Sequence, residues 1–466
     1  MERSEQGGAE LRRENARLRK RNERLERENA RLRQELAAAR RAGCRQAAPF
    51  AKPLRRDPKR PGRRAGAQYG VPSRRGRPAR IDERHDAALP PSCPDCGERV
   101  ERTRVASQFQ EELPFPRVVV REFRVEVGGC TGCGRRVQGR HRLQTSDALG
   151  AAGVQLGPQA VAWAVVLNKQ MGLSFGKIAT LLRQQYGLTV SRSGLVHAVQ
   201  RAARRAQPTY AALQQQIRGS PVVTPDETGW RVAGRLHWLW VVATPETTVY
   251  AIQPGRGYPE AAALLGADYA GVIVRDGWAP YRRFTRATHQ TCLAHLLRRG
   301  RLLQDDHPHS HVVAEIRAIL HQALHLRDRA RDGTVSPHGL AVARGRLAAR
   351  LDRRLAIPGP LADVRRFAAH LTRERSALFT FLDLSRSIDA TNWRAEQAVR
   401  PAVVTRKVCG GNRSPRGAAA QQILASVIRT AQQRQLAPHH VLVQLLRASA
   451  ATPVPELAQL PTNHTR

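Results

Sequence analysis

Between residues 221 and 276 the spacing of apolar residues leaves little choice of fold. Short runs rich in Val, Trp, Tyr and Ile occupy 221–225, 237–243, 247–252 and 271–275, each bounded by turn-forming residues. Runs of that length and composition predict strands, and the stretch over about 259–265 predicts a helix between the third and fourth of them. Helical patterns precede this block (156–206) and follow it, so the chain is expected to build an α/β layer around a mixed sheet. The first and fourth runs each stop on an acid, Asp226 and Asp276.

Three antiparallel strands, a helix, a parallel-type strand and then helices is the element order of an RNase-H-like sheet. After Asp276 the chain is expected to be helical, with an Arg/His-rich all-α insertion at about 289–381 and a last helix pair from about 392. In this arrangement Asp226 and Asp276 project from neighbouring strand ends, and Glu396 lies on a helix that can pack across that edge. Asn392 and Arg400 sit one turn to either side of Glu396 and share its face. Converging Asp and Glu oxygens suit a pair of hard divalent ions serving phosphoryl transfer. An Asp at a strand end followed by Gly is also a common turn residue. Glu374, Asp383 and Asp389 are alternatives for the third acid.

Charge points to the partner. The 466 residues carry 78 Lys+Arg against 38 Asp+Glu, a formal net charge of +40, with the basic residues clustered. Nucleic acid or an anionic membrane balances such a surplus. No apolar run reaches the roughly 18 residues of a membrane span, and the N-terminus has no signal-peptide core, so nucleic acid is the expected partner, with no membrane. An Arg-rich composition without such a role is the bland alternative.

The N-terminal segments are organised differently. In residues 1–42, Leu11, Leu18, Leu25 and Leu32 recur every seven residues, with Asn15, Asn22 and Asn29 at the a positions. The g-to-e pairs Glu14–Arg19, Arg21–Glu26, Glu28–Arg33 and Glu35–Arg40 are attractive in a parallel pair, so this leucine-zipper-like helix predicts a homodimer or higher oligomer. A solvated single helix with i,i+4 ion pairs is the other reading. Residues 43–86 form a basic Pro/Gly-rich linker in which Arg75 and Arg77, within Arg-Arg-Gly-Arg-Pro, resemble a minor-groove AT-hook; plain phosphate neutralisation is the simpler account.

Seven cysteines include two C-x-x-C-G pairs, Cys93/Cys96 and Cys130/Cys133. Two thiolate knuckles supply the four ligands of a structural Zn²⁺, which predicts a zinc-ribbon-like domain over 87–145, with 117–127 as its β-rich arm. Two unrelated surface pairs are the alternative. Over 150–215, a helix closed by Gly187 and a second helix capped by Ser191 or Ser193 make a helix-turn-helix-like pattern that a plain helical hairpin also satisfies.

Three motifs carry a family resemblance. Asp226-Glu-Thr-Gly229, Arg275-Asp-Gly-Trp-Ala-Pro-Tyr281 and Asn392-Trp-Arg-Ala-Glu-Gln-Ala-Val-Arg-Pro401 resemble those of insertion sequence 66 family transposases. The zipper, the basic linker, the four cysteines and the stretch 406–417 are similar to that family too, so the likeness runs over nearly the whole chain. Trp393 and Gln397 depart from the Asn and Arg usual around the third acid. The resemblance implies an Asp-Asp-Glu catalytic core over 216–405, with a helical region at 406–466. It also implies that Asp226, Asp276 and Glu396 are catalytic ligands of Mg²⁺ or Mn²⁺, and that the partner is double-stranded DNA, cut at the element ends and joined to the target. Companion proteins of the element and a bacterial, cytoplasmic, nucleoid-associated location are implied as well. Cys292 and His295 resemble a Cys-x-x-His pair that supports the site in related transposases; core packing by Cys292 is the simpler account. The competing functional readings are a decayed, non-catalytic zinc-ribbon/helix-turn-helix DNA-binding protein and a nuclease that cuts without joining.

Overall fold

A computed structural model describes residues 14, 16–32, 35–36, 78–85, 88–101, 104, 106–110, 117–150, 155–383, 387–448 and 452–460. It divides into two compact units, Met1–Pro114 and Phe115–Arg466. In the first, α1 (16–32) leaves Leu18, Leu25 and Leu32 about half exposed along one stripe, and its ion pairs are intrahelical, Arg27 to Glu23 at 3.5 Å and Arg31 to Glu35 at 2.9 Å. Arg75 and Arg77 lie outside the described residues.

The second unit begins with a short antiparallel ribbon, β1 (Val127–Gly129) and β2 (Arg136–Gln138). The alternating stretch from Arg117 predicts strand throughout, yet residues 117–126 lie outside any strand, with only Glu126 O taking a ribbon hydrogen bond, from Gly139 N–H. Alternation alone does not make a strand when no partner supplies the ladder.

Four helices follow: α2 (Pro158–Lys169), α3 (Phe175–Tyr186), α4 (Arg192–Arg205) and α5 (Gln207–Gly219). Ser174 and Ser191 accept hydrogen bonds from the backbone N–H groups of Lys177 and Gly194, so each hydroxyl caps its helix, and Gly187 ends α3 in the left-handed region at φ 65°. The α3–turn–α4 pair packs through Ile178, Leu182 and Leu195 onto Ala164 and Leu167 of α2.

The central sheet has five strands in the order β5-β4-β3-β6-β7. They are β3 (Val222–Val232), β4 (Arg235–Ala243), β5 (Thr248–Gln253), β6 (Val272–Arg275) and β7 (Thr288–Thr291), with α6 (Tyr258–Leu265) crossing between β5 and β6. β3–β4 and β4–β5 are antiparallel, and β3–β6 and β6–β7 parallel. Ala233 and Gly234, both at positive φ, turn the β3–β4 hairpin in the sense that matches strand twist. The fifth strand, β7, falls where the sequence predicts the helical insertion to begin; its residues Thr-His-Gln-Thr carry no apolar signal.

Strand alternation splits the core in two. Trp240, Val242, Val223 and Ile273 face α4, α5, α6 and two later helices, α12 (Pro415–Gln433) and α13 (Pro438–Arg447). On the other face, Leu239, Val241 and Ala243 meet Ala395, Ala398 and Ala402 of α11 (Trp393–Cys409), which precedes α12. Val272 and Val274 meet the insertion, which comprises α7 (Leu293–Asp306), α8 (His311–Arg331), α9 (Pro337–Ala356) and α10 (Ala362–Arg373). A short α14 (Pro455–Ala458) ends the described chain.

The free edge of β5 is covered by a helix. The backbone N–H groups of Thr248, Tyr250 and Ile252 donate to Thr430 Oγ1, Ser426 Oγ and Gln422 Oε1, at 3.1, 2.9 and 2.9 Å. These three side chains sit one turn apart on α12, so they replace a sixth strand and close the edge to pairing. At the far end of β3, residues 411–412 lie against the strand: Asn412 N–H donates to Arg231 O at 2.8 Å, and Trp230 Nε1 donates to Asn412 Oδ1 at 2.8 Å. Gly411 has φ 114°, and a Cβ there would fall on Arg231 O. Gly411→Ala is therefore expected to destabilise this unit by about 1–3 kcal/mol; a urea midpoint equal to wild type would contradict the close approach.

Candidate active site

Asp226 is the fifth residue of β3, not its last as the apolar run predicts. It stays in the ladder because β4 continues to pair it, opposite Val241. On the other side β3 pairs with β6 only through Val222 and Val223. Beyond that point the two strands no longer pair, and Asp276 follows the last residue of β6. Asp226 Oδ1 accepts from Glu227 N–H and Asp276 Oδ1 from Trp278 N–H, each at 2.9 Å. The second contact turns the chain sharply after β6.

Glu396 lies in the first turn of α11, which packs over the β3–β4 face that carries Asp226. Its Oε1 is 3.5 Å from His295 Nε2 on α7, and its side chain is 42% exposed. Asp226 reports the grouping of acids. Burial first, then the charges of Glu227, Asp276 and Glu396, push its carboxyl up to about 7, against a backbone hydrogen bond that favours the ionised form. Among the described residues no three His, Cys, Asp or Glu side chains are gathered tightly enough to hold a metal ion. Asp226 thus feels the charges of the other two acids while the three do not close on a common point, and Glu396 is turned to His295. Three carboxylates in this arrangement fit a divalent cation chemically, since oxygen donors of this kind are what a hard ion takes.

Glu227 is a site residue that the sequence reading passed over. Next to Asp226 on a strand, it points to the opposite face. It is buried there, accepting from Arg256 Nε at 2.8 Å and Tyr281 Oη at 2.6 Å. The Arg256 guanidinium lies 4.7 Å from the Trp238 ring and 4.0 Å from the Trp278 ring. Trp278 and Tyr281 both belong to the segment after Asp276, so Glu227 ties β3 to that segment from below. Burial pushes the Glu227 carboxyl up despite its two donors, and burial together with Glu227 pushes the Tyr281 phenol well up. An acid adjoining Asp226 in an otherwise apolar strand was the available signal. Tyr281→Phe leaves the buried carboxylate one donor short and is expected to cost about 1–3 kcal/mol; thermal unfolding within error of wild type would count against it.

The other acids weighed for the third position are engaged elsewhere. Glu374, fully buried, is paired with Arg275 at 2.8 Å and Arg282 at 2.6 Å and accepts from Thr291 Oγ1 at 2.7 Å. Asp389 is paired with Arg394 at 2.6 Å. Asp383 is half-buried at the end of a 3-10 turn. Asn392 does not share an open face with Glu396: it is 1% exposed at the start of α11, with Oδ1 unpartnered. Helix ends tilt into the core where the preceding loop packs, and here Leu293 N–H donates to Ala390 O. Arg400 is exposed one turn beyond Glu396. Cys292 is buried at the start of α7, where packing accounts for it, and His295 reaches Glu396.

Each cysteine pair forms the same turn. Cys93 N–H donates to Glu98 O and Gly97 N–H to Cys93 O; Cys130 N–H donates to Arg135 O and Gly134 N–H to Cys130 O. Gly97 and Gly134 take φ 78° and 69°. Backbone N–H groups of Cys96 and Asp95 hold the Cys93 thiol below its ordinary value, and those of Cys133 and Gly132 do so for Cys130. Such turns favour thiolates. Among the described residues no helix is long and apolar enough to cross a membrane.

A family model described as "Transposase IS66 family" matches residues 153–420, which spans the four helices, the sheet, the insertion, α11 and the start of α12. No curated protein matches the chain.

Proposed function

The chain belongs to the IS66 family of transposases, and from the geometry of its acids we propose that it is a DNA transposase acting through Asp226, Asp276 and Glu396. The observation that carries this reading is the placement of the acids: Asp226 lies on β3, Asp276 directly after the neighbouring β6, and Glu396 on the helix packed across the sheet face that carries Asp226. The strand order, with two antiparallel and two parallel pairings, supports an RNase-H-like core.

Asp226, Asp276 and Glu396 are the residues that would hold Mg²⁺ or Mn²⁺, which when bound supplies Lewis-acid neutralisation of the charge that builds on a phosphodiester under attack. The chain's own groups do the rest. β3 and β6 set the two Asp side chains on either side of one cleft. His295 orients Glu396, and Arg406 of α11 holds the Asp226 strand by donating to Thr228 Oγ1 at 3.0 Å and to Gly229 O. The Glu227–Arg256–Tyr281 network keeps the Asp276 segment against the sheet. Exposed Arg400 is placed to meet a phosphate.

The flanking segments serve DNA in this reading. The exposed Leu stripe of α1 is a dimerisation face that would bring two element ends together. Each knuckle presents a pair of thiols of the kind structural Zn²⁺ takes, and α3–α4 contact the element end. The basic linker, Arg75 and Arg77 included, adds affinity that falls with salt.

Plasmid DNA carrying the element's own ends tests the proposal, incubated with Mg²⁺ or Mn²⁺ and wild type or the Ala variants of the three acids. Cutting and joining by wild type alone is the expected result. Binding without cutting by wild type, companion proteins included, would favour a decayed DNA-binding protein; cutting without joining would favour a nuclease.

A further inference from the structure

The site described above uses few of the cations beside it. Three arginines of the insertion, Arg299 on α7 and Arg366 and Arg373 on α10, form no ion pair with any described residue, although Arg282 and Arg275 nearby are both held by Glu374. Arg366, His370 and Arg373 are spaced i, i+4, i+7, which places them on one face of α10. Arg366 and Arg373 are exposed.

His370 links this face to the acids. Arg299 donates from its guanidinium to His370 Nδ1 at 3.0 Å and stacks over the Phe367 ring at 5.2 Å. A guanidinium is only a donor, so Nδ1 accepts and the ring proton resides on Nε2. That nitrogen stands 2.8 Å from where a Cβ on Gly277 would sit, so the ring lies directly against the residue that follows Asp276. A row of donors therefore begins beside Asp276 and continues along α10. Arg299 is held below its ordinary value by burial and then by Arg366 and Arg373, so the three guanidinium groups act on one another. Glu374, the acid whose charge reaches His370, is already paired with Arg275 and Arg282, and like charges left in excess raise the energy of the free protein and are relieved by a polyanion.

We propose that this face of the insertion is a phosphate track for the DNA strand that enters the acid cleft: Arg366, Arg373 and Arg299 seat successive phosphates, and His370 Nε2–H meets the phosphate nearest Asp276. The assignment rests on the transposase reading and adds to it a role for the insertion. The span suits the ligand. Seven residues of helix cover about 10 Å, longer than a single step along one DNA strand, so Arg366 and Arg373 can reach different phosphates.

The test uses the full-length chain and a fluorescent duplex carrying the element's end, with anisotropy read across a range of KCl concentrations. The double variant Arg366→Glu, Arg373→Glu removes two phosphate contacts and is expected to lower the slope of log K against log salt by about two. A control of equal charge change on α9, Arg344→Glu with Arg353→Glu, is expected to leave the slope near that of wild type. An unchanged slope in the first variant, or an equal fall in the control, overturns the track. Wild type that binds this duplex without salt dependence would overturn the DNA reading itself. Position is read separately with His370→Cys and duplexes bearing a thiol on a chosen phosphate. Disulfide formation strongest at the terminal phosphate is expected, and formation independent of thiol position refutes the placement of His370.

Discussion

Asp226→Asn is expected to lower end cleavage by on the order of 10³ while leaving the metal-free protein at least as stable as wild type. The cause is the same in both measurements. The Asp226 carboxyl is buried among Glu227, Asp276 and Glu396 and is pushed up to about 7, whereas in the unfolded chain it titrates near 3.9. The folded state thus holds this proton more tightly. Stability from this group is fully present below about pH 4 and is lost as pH rises through about 7. Three units of difference set an upper bound of about 4 kcal/mol on that loss. Asn keeps the shape without the charge, so the variant's stability is expected to vary less between pH 4 and 7 than that of wild type.

A divalent ion reverses the sign for wild type. Ions that bind only the folded form raise its melting temperature by mass action. Mg²⁺ or Mn²⁺ at neutral pH is therefore expected to stabilise wild type and to do little for Asp226→Asn. Calorimetric scans of both proteins with and without metal check this. An equal shift in the two would remove Asp226 from the ligand set, and cleavage surviving in the variant would remove it from the chemistry.

The second large effect is structural. Glu374→Gln is expected to destabilise the sheet unit by about 3–5 kcal/mol, because it leaves the charge of Arg275, 2% exposed, without its counter-ion. Burial pushes the Glu374 carboxyl up, but Arg275, Thr291 and Arg282 together outweigh it and hold the group below its ordinary value. Its contribution is present above the unfolded value, about 4.3, and is lost as pH falls through the lower folded value. Arg275 also donates to Asp276 O at 2.9 Å, so cleavage should fall with stability. Urea unfolding and proteolysis within the insertion measure the loss. A cycle with Arg275→Met should show strong coupling between the two positions; additive effects, or a single variant as stable as wild type, would mean that the pair does not anchor the insertion.

Much of the candidate site is legible in local spacing. The apolar runs ending at Asp226 and Asp276 and the helix bearing Glu396 each follow from a few adjacent residues. So do the Ser174 and Ser191 caps and the Gly187 stop. The flanking acids were harder to sort, since Glu374, Asp389 and Glu396 look alike in the sequence. Glu374 is excluded from the cleft only because Arg275 and Arg282 reach it from β6 and the turn after it.

The sequence by itself determined the sheet-forming runs, the turn and cap residues and the chemistry of the acids, because each depends on neighbours within a turn or a strand. Tertiary structure alone decided four other things. It made Thr-His-Gln-Thr a fifth strand, where Gln290 Oε1 takes the N–H of Phe381 at 2.8 Å from the end of the insertion. It carried β3 on past Asp226, because β4 offers a partner opposite. It buried Glu227 between Arg256 and Tyr281, and it used Gln422, Ser426 and Thr430 to cover the β5 edge. In the second the partner is the facing strand of a hairpin; in the others a polar group is satisfied by a partner tens to hundreds of residues away in the chain. Its place is set by the energy of leaving a buried donor or acceptor unpaired, and no local pattern encodes that.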